Sequence, residues 1–419
     1  MKILIVNYRY FVSGGPEKYM FNIKALLEQH GHEVYPFSVH SDKNEPTQYD
    51  RFFVEPIGGR SAVYYDDYKK TPATIIKMIS RSVYSPEVKR ALEREIRELK
   101  PDVVYILQCV NKLSPSVIRA ARKMGVPVVM RLSDYNLLCP KFDFLRGTSA
   151  CEDCVKIGYR CCIKHRCVKG SFFASVVRVC AMKFHKMIHI YDDVDAFVTP
   201  SRFLQTKLIE NGFKPERVHH IPTFTVRQTT EADGDDMTAG RNAGDYGLYF
   251  GRLTAQKDII TLIRAYERLS DHKLMIVGDD TIDEGPALKQ YVEDHNISNV
   301  EFAGFKSGKD LEDIIRGSRF TIIPSMSYEN MPNSALESFL YYKPLIAADI
   351  GSLSELVDDS VNGYLYEPRN VDELTDKILL MDDDDAVIRM GIEAHKPVSD
   401  RYSPEKHYEA LMGIFDALI

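Results

Sequence analysis

The sequence predicts an α/β protein made of two doubly wound parallel sheets. Short apolar runs alternate along most of the chain with amphipathic helical stretches. Loops containing Gly or Pro stand between many of these runs and the helices that follow them. At 419 residues the chain also exceeds one ordinary core and suggests two domains.

Taken in order, Ile3–Val6 is a first buried strand. The apolar start is too short for a signal peptide and lacks a small-residue cleavage site, so a cytosolic protein is expected. Ser13-Gly14-Gly15-Pro16-Glu17 is a loop in which the glycines allow close backbone approach and positive φ beside a helix start. That is a seat for phosphate or acceptor, or a tight turn needed for packing alone. It lacks the three-glycine spacing of a dinucleotide fingerprint. Helix 18–30 ends at Gly31, and a strand follows over 32–36. Helices are expected at 87–99 and 115–124, and buried strands at 101–107 and 126–132. Ligands bind beyond the carboxyl ends of such strands, so Ser133 and Asp134 should face the cleft.

A cysteine-rich stretch comes next: Cys139, Cys151, Cys154, Cys161, Cys162 and Cys167. The C-x-x-C at Cys151 and Cys154, with Cys161, Cys162 and Cys167 beyond, is close to structural zinc spacing. Disulfides and unpaired packing thiols are the alternatives, and a cytosolic setting disfavours disulfides. Such a metal would be structural, since four thiolates leave no open position. Residues 171–191 form a helix whose apolar face is Phe173, Val176, Val177, Cys180, Phe184, Met187, Ile188 and Tyr191, with Arg178, Lys183 and Lys186 off it. That face either packs on the core or lies on anionic lipid. A strand at 194–200, a helix capped by Ser201, and the stretch 217–222 end the first domain.

Residues 227–245 carry no periodicity and read as a linker. The second domain begins with a strand at 246–251, and the loop after it presents Arg252 and Lys257 as cations for a diphosphate. Helix 259–269, strand 273–278 and strand 300–305 follow, the last ending at Phe305 where it can frame a nucleobase. Residues 319–324 form another short apolar run that reads as a buried strand. The loop after it holds Glu329, Asn330, Met331 and Pro332, and Asn333 or Ser334 caps a helix over 335–342. Strand, loop and helix start present free amides to an anion. Glu337 lies about one turn inside the helix, and a carboxylate accepts two hydroxyls of a sugar diol. The ligand expected from this set is a nucleotide sugar. Strands at 343–348 and 363–366 complete the sheet, Asp382–Asp385 is an acidic exposed turn, and 404–419 is a last helix.

Hydrophobic content of 44% and charged content of 27% are those of a globular protein, and no apolar run is long enough to span a bilayer. Residues 1–222 hold 35 basic and 23 acidic side chains, and the remainder holds 19 and 37. The basic half therefore faces something anionic, a membrane surface or a charged acceptor. Dispersed basic residues and a pI of about 6.1 speak against nucleic acid.

Gly14-Gly-x-Glu17, Gly31-His-Glu-Val34, Phe250-Gly-Arg-Leu253 with Lys257, and Glu329-x7-Glu337 leading to Lys343-Pro344 together resemble the family-four retaining GT-B glycosyltransferases. The likeness covers nearly the whole chain apart from the cysteine-rich segment and the linker. It implies two Rossmann-like domains facing across a cleft: an acceptor domain over 1–222 with an insertion at 139–170, a linker at 223–245, a donor domain over 246–400, and a helix at 401–419 returning to the first domain. It implies α-linked sugar transfer from a nucleoside-diphosphate sugar to a glycan or glycolipid in cell-surface polysaccharide synthesis, at the cytosolic membrane face, with no metal needed for catalysis. In it Arg252 and Lys257 bind the diphosphate and Glu337 the ribose. Glu329 with the backbone of Asn330, Met331, Pro332 and Asn333 holds sugar and phosphate, and Gly15 lies under the phosphate. Where the family usually has His-Asp, this chain has Ser133-Asp134. Either the donor lacks a typical six-hydroxyl, or Arg131 or His165 substitutes, or the protein binds a nucleotide sugar without catalysis; a nucleotide-sugar epimerase or a phosphorylase of the same fold is the further alternative.

Overall fold

The computed structural model describes residues 1–61, 68, 71–226 and 244–419. The expected linker falls mostly on 227–243, outside the described residues.

In chain order the first half contains β1 (Lys2–Asn7), α1 (Gly15–Gln29), β2 (Glu33–Phe37), α2 (Pro72–Val83), α3 (Pro86–Leu99), β3 (Val103–Gln108), α4 (Ser116–Lys123) and β4 (Val128–Arg131). A small hairpin, β5 (Leu145–Arg146) with β6 (Ser149–Ala150), and the short helices α5 (Asp153–Lys156) and α6 (Arg160–Lys164) make up the cysteine-rich segment. Then come α7 (Phe172–Met187), β7 (Ala196–Thr199), α8 (Arg202–Glu210) and β8 (Val218–His220). The sheet is parallel throughout, in the order β2-β1-β3-β4-β7-β8. Leu4, Val6, Val104 and Ile106 pack on one face, and Ile3, Ile5, Tyr105 and Leu107 on the other. Burial on both faces is why these strands read as unbroken apolar runs.

The second half contains β9 (Tyr246–Phe250), α9 (Ile259–Glu267), β10 (Lys273–Val277), α10 (Gly285–Asp294), β11 (Val300–Gly304), α11 (Gly308–Gly317), β12 (Phe320–Ile323) and α12 (Asn333–Leu340). These are followed by β13 (Leu345–Ala348), α13 (Leu353–Leu356), β14 (Gly363–Tyr366), α14 (Val371–Leu379), α15 (Asp384–Ser399) and α16 (Pro404–Leu418). Its sheet is again parallel, in the order β11-β10-β9-β12-β13-β14. The chain winds outward from β9 in one direction and from β12 in the other, so the crevice expected of such a sheet opens between these two strands. α16 leaves this half. Its Leu411, Ile414 and Phe415 share a core with Ile3, Ile5 and Tyr105 of the first half.

Three expectations change. The acidic stretch 382–385 is a helix start, because Asp383 Oδ1 accepts from the Ala386 amide (3.1 Å) and caps α15. Gly14 has φ 176, which is extended backbone rather than positive φ. On α7 the buried residues are Ser175, Arg178, Val179, Ala181, Met182 and His185, whereas Phe173, Cys180 and Met187 are exposed. Polar bonds turn the helix this way. The Arg178 guanidinium donates to the Asn136 carbonyl (2.9 Å), and Ser175 Oγ donates to the Ser171 carbonyl (2.8 Å) while accepting from the Val168 amide. His185 Nε2 lies 2.6 Å from the Val83 carbonyl at the end of α2.

Candidate active site

The loops leaving β9 and β12 run side by side at the switch point of the second sheet. Lys257 comes from the first and Glu329 from the second, and they meet with Nζ–Oε1 at 2.7 Å. Ser325 Oγ donates to the same carboxylate oxygen at 2.5 Å. Both side chains are partly buried, 26% and 13% exposed, which makes this a charge-assisted bond with little screening. Asp258 follows Lys257 in the left-handed region (φ 48), and burial pushes its carboxyl up to about 6 against a bond from Thr261.

Past Glu329 the chain turns at Met331 (φ 59), whose amide donates to Ser352 Oγ (2.7 Å), and Pro332 leads into α12. The expected cap by Asn333 or Ser334 does not form: Pro332 holds the cap position, no side chain caps the helix, and Asn333 is its first residue. α1 starts from Gly14 with no side-chain cap either. The two starts face each other closely, since a Cβ on Gly15 would lie 3.2 Å from Asn333 Nδ2. Two uncapped helix N-termini, one of them reached through the loop in which Glu329 pairs with Lys257, are chemically suited to a polyanion.

Around these helix starts Glu337 of α12 pairs with Lys18 of α1. Lys18, Tyr19, Asn22, Thr223, Asn333 and Glu337 line a cavity between the halves. Arg252 does not join Lys257. Its side chain is 72% exposed and turned to Asp283 (3.2 Å), because the loop directs it outward. Phe305, just past β11, is also 72% exposed.

Ser133 and Asp134 hydrogen-bond within the first half. Ser133 Oγ accepts from Arg131 Nη1 (2.9 Å), and Arg131 also donates to Thr223 (2.7 Å) over the Tyr19 ring. Asp134 accepts from the amide (2.9 Å) and side chain of Asn136 in its own turn, while burial raises its carboxyl. It is the next residue that crosses: Tyr135 Oη donates to the Glu329 carbonyl at 3.0 Å. Asn330 answers from the other side, accepting from Ser201 Oγ (2.8 Å) and donating to the Leu132 carbonyl (3.1 Å). His165 is exposed and Arg131 buried.

All eight cysteines are free thiols, and among the described residues no three His, Cys, Asp or Glu side chains are placed to hold a metal ion. Within the set expected at Cys151, Cys154, Cys161, Cys162 and Cys167, the thiols of Cys154, Cys162 and Cys167 are near enough to influence one another. Cys151 is tied by its amide to the Phe144 carbonyl, at the end of the β5–β6 hairpin (2.6 Å). Cys161 and Cys162 are neighbours on α6, so they point apart, and only Cys162 is buried. Burial pushes the Cys154 and Cys162 thiols up to about 12, with neighbouring thiols adding to the shift.

Family comparison agrees with this geometry in both halves. Residues 14–223 match the glycosyl transferase 4-like domain and residues 244–384 match glycosyl transferases group 1. The chain belongs to the GT-B glycosyltransferases. An uncharacterized glycosyltransferase of Methanocaldococcus jannaschii is 31% identical over 179 residues, 42% of this chain and 50% of the relative. The alpha-D-kanosaminyltransferase of Streptomyces kanamyceticus is 27% identical over 215 residues, 48% and 54% of the two chains. The poly(ribitol-phosphate) alpha-N-acetylglucosaminyltransferase of Staphylococcus aureus is 29% identical over 179 residues, 40% and 35%. The chain thus spans about half or less of these curated relatives. Among solved structures, sucrose-phosphate synthase of Thermosynechococcus elongatus superposes with a TM-score of 0.71 at 15% identity, covering 100% and 98% of the two chains. Anabaena HepE, solved with UDP and glucose, gives 0.62 at 18% identity with full coverage of both.

In this glycosyltransferase several site residues escape sequence reading. Lys18 lies one position past the Gly-Gly-x-Glu stretch, on the first turn of α1, and that placement was its one signal. Tyr135 and Ser352 bond to the loop after β12 and carry no local signature, whereas Ser201, read from the sequence as a helix cap, caps α8 and also bonds Asn330 of that loop.

Proposed function

We propose that this glycosyltransferase moves an α-linked sugar, with retention, from a nucleoside diphosphate to a glycan or glycolipid hydroxyl in cell-surface polysaccharide synthesis. One observation carries the reading: Lys257 and Glu329 meet in the loop that leads to the uncapped start of α12, opposite Gly15 at the start of α1. A diphosphate is the ligand that two helix N-termini and a lysine suit, and a carboxylate beside it suits sugar hydroxyls. As the glycosidic bond breaks, negative charge grows on the departing diphosphate, and Lys257 with the amides of α12 is pre-arranged to stabilise it. These groups take the place of a divalent cation, so turnover is expected to continue in chelator. Glu337 holds the ribose hydroxyls in competition with Lys18. A neighbour solved with UDP and glucose and a relative named for alpha-N-acetylglucosaminyl transfer support a nucleotide-sugar donor and a glycan acceptor.

The acceptor half also offers a face to an anionic membrane. Phe172, Phe173 and Met187 on α7 are exposed together with Lys183 and Lys186. Among the described residues no helix is long and apolar enough to cross a bilayer.

A thermal-shift panel of nucleoside-diphosphate sugars, followed by NMR of the product, tests the reading. Ligand at about 100 times its dissociation constant adds about 2.7 kcal/mol. A β-linked product from an α-linked donor, or full turnover by Glu329→Ala, overturns it.

A further inference from the structure

The cysteine-rich segment belongs to the first half by sequence, yet three of its side chains bond to the second. Glu152 Oε1 accepts from Tyr328 Oη at 2.9 Å. Asp143 Oδ2 accepts from Gln256 Nε2 at 2.8 Å, and Thr148 Oγ1 accepts from Arg369 at 3.0 Å. The first two contacts fall at particular places. Tyr328 directly precedes Glu329, and Gln256 directly precedes Lys257. The segment thus grips the neighbour of each member of the ion pair on which the donor site is built. The two gripped residues belong to one unit, because the Gln256 carbonyl accepts from the Met326 amide at 3.0 Å.

The grip is itself held firmly. Glu152 is 10% exposed and also binds Lys207 of α8 (2.9 Å) and Lys156 (3.1 Å). Burial opposes its charge, but the bonds from Lys207, Tyr328 and Lys156 outweigh that and keep the carboxyl below its ordinary range. The Tyr328 ring sits among Phe203, Phe144 and Tyr135, with centroids at 4.7, 5.8 and 6.2 Å. Asp143 is anchored by Lys141 at 3.1 Å. A side chain fixed at both its ring and its hydroxyl fixes the backbone that leads into the next residue.

We propose that the cysteine-rich segment sets the geometry of the donor site, with Glu152 acting through Tyr328 on Glu329 and Asp143 acting through Gln256 on Lys257. Both are positioning residues, and the proposal rests on the donor-site reading given above. Its consequence is a split between binding and turnover. Affinity for UDP depends on charge and helix ends and is kept. Turnover depends on where Lys257 and Glu329 stand at the reacting bond, where a displacement of about 1 Å costs up to about 10²-fold.

The experiment measures UDP affinity by calorimetry, turnover of the donor that the nucleotide-sugar panel selects, and amide hydrogen exchange over 252–258 and 325–333 with UDP bound. Tyr328→Phe keeps the ring and loses one oxygen. It is expected to lower kcat about tenfold, leave the UDP dissociation constant within about threefold, and speed exchange in 325–333. Glu152→Ala should match it, and Tyr328→Phe with Glu152→Ala should be no worse than either alone. Glu152→Gln retains an acceptor for Tyr328 while losing the lysine pairs, so it should restore turnover. A general loss of stability would follow the lysine pairs and would not be rescued. The proposal is overturned if Tyr328→Phe turns over at the wild-type rate with unchanged exchange, or if the two losses multiply. If the wild-type protein binds no UDP and turns over no nucleotide sugar, the donor-site reading falls and this falls with it. That result is distinguishable, because it appears before any variant is made.

Discussion

The helices α8 and α12 both begin where the two halves meet, and they differ in what their free amides find there. At α8, Ser201 Oγ accepts from the Leu204 amide (3.1 Å), and Glu355 of the opposite half accepts from the amides of Arg202 (2.9 Å) and Phe203. At α12, a proline stands at the cap position with no side-chain acceptor, and across from it is the bare backbone of Gly15. Where a helix start serves to hold the halves together, the protein supplies its own carboxylate. At α12 no side chain caps the amides, as the proposed diphosphate seat requires. The difference separates closure from chemistry along a single interface.

The strongest way to sharpen this contrast is to remove the cation at the open helix. Lys257→Ala leaves Glu329 partly buried with Ser325 as a side-chain partner, and on the proposed reading removes the charge that meets the leaving diphosphate. Loss of one such group costs about 10²–10³ in turnover, to be read from kcat/KM with the selected donor. Arg252→Ala should cost less than about tenfold, because that side chain is mostly exposed and turned to Asp283. The reverse ranking would relocate the diphosphate seat toward Arg252.

A second test bears on α16, which joins the halves by a neutral contact rather than a charged one. His407 Nδ1 lies 2.7 Å from the Pro222 carbonyl and Nε2 lies 2.8 Å from Tyr19 Oη. Burial lowers its pKa to about 3, opposed by the bond to Pro222 and assisted by Arg131. In the unfolded chain an imidazole titrates near 6.5. Between these values the unfolded state binds the extra proton, so stability is full above the unfolded value and is lost as pH falls. By pH 5.5 the loss from this residue is about 1.4 kcal/mol. Denaturant midpoints at pH 7.5 and 5.5 should therefore lie closer together in His407→Gln than in the wild type. An equal gap in both would mean that α16 docks without this histidine's help.

What could be read in the chain beforehand follows from how local each feature is. Both sheets were legible because strands such as Ile3–Val6 and Phe320–Ile323 are buried on both faces, with Thr321 the one polar side chain among them. Lys257 and Glu329 were legible because each sits in a loop just past such a strand. The bonds that Lys18, Tyr135 and Ser201 make across the halves were not, since their partners lie 319, 194 and 129 positions away and only the meeting of the halves brings them together. The orientation of α7 was hidden for a different reason. Its inward side carries Ser175, Arg178 and His185, which bond to carbonyls and loop amides supplied by other segments, so the apolar stripe could not by itself decide between core and surface.

The smallest expected effect tests the closed end of the contrast. Glu355→Ala removes the carboxylate from the α8 start but leaves the Ser201 cap in place. The two amides then turn to water, since they lie at the exposed rim of the interface, and the loss is about 1 kcal/mol at most. Because Glu355 belongs to one half and α8 to the other, that loss falls on the closed arrangement and not on either half alone. A change of this size alters the ratio of closed to open forms about fivefold. Small-angle scattering should therefore show a larger radius of gyration in the variant, with UDP restoring it, while the melting temperature stays close to wild type. An unchanged radius with an intact donor affinity would mean that Tyr135, Asn330 and the cysteine-rich segment hold the halves together without Glu355. The carboxylate at α8 would then be a local cap that happens to come from across the interface.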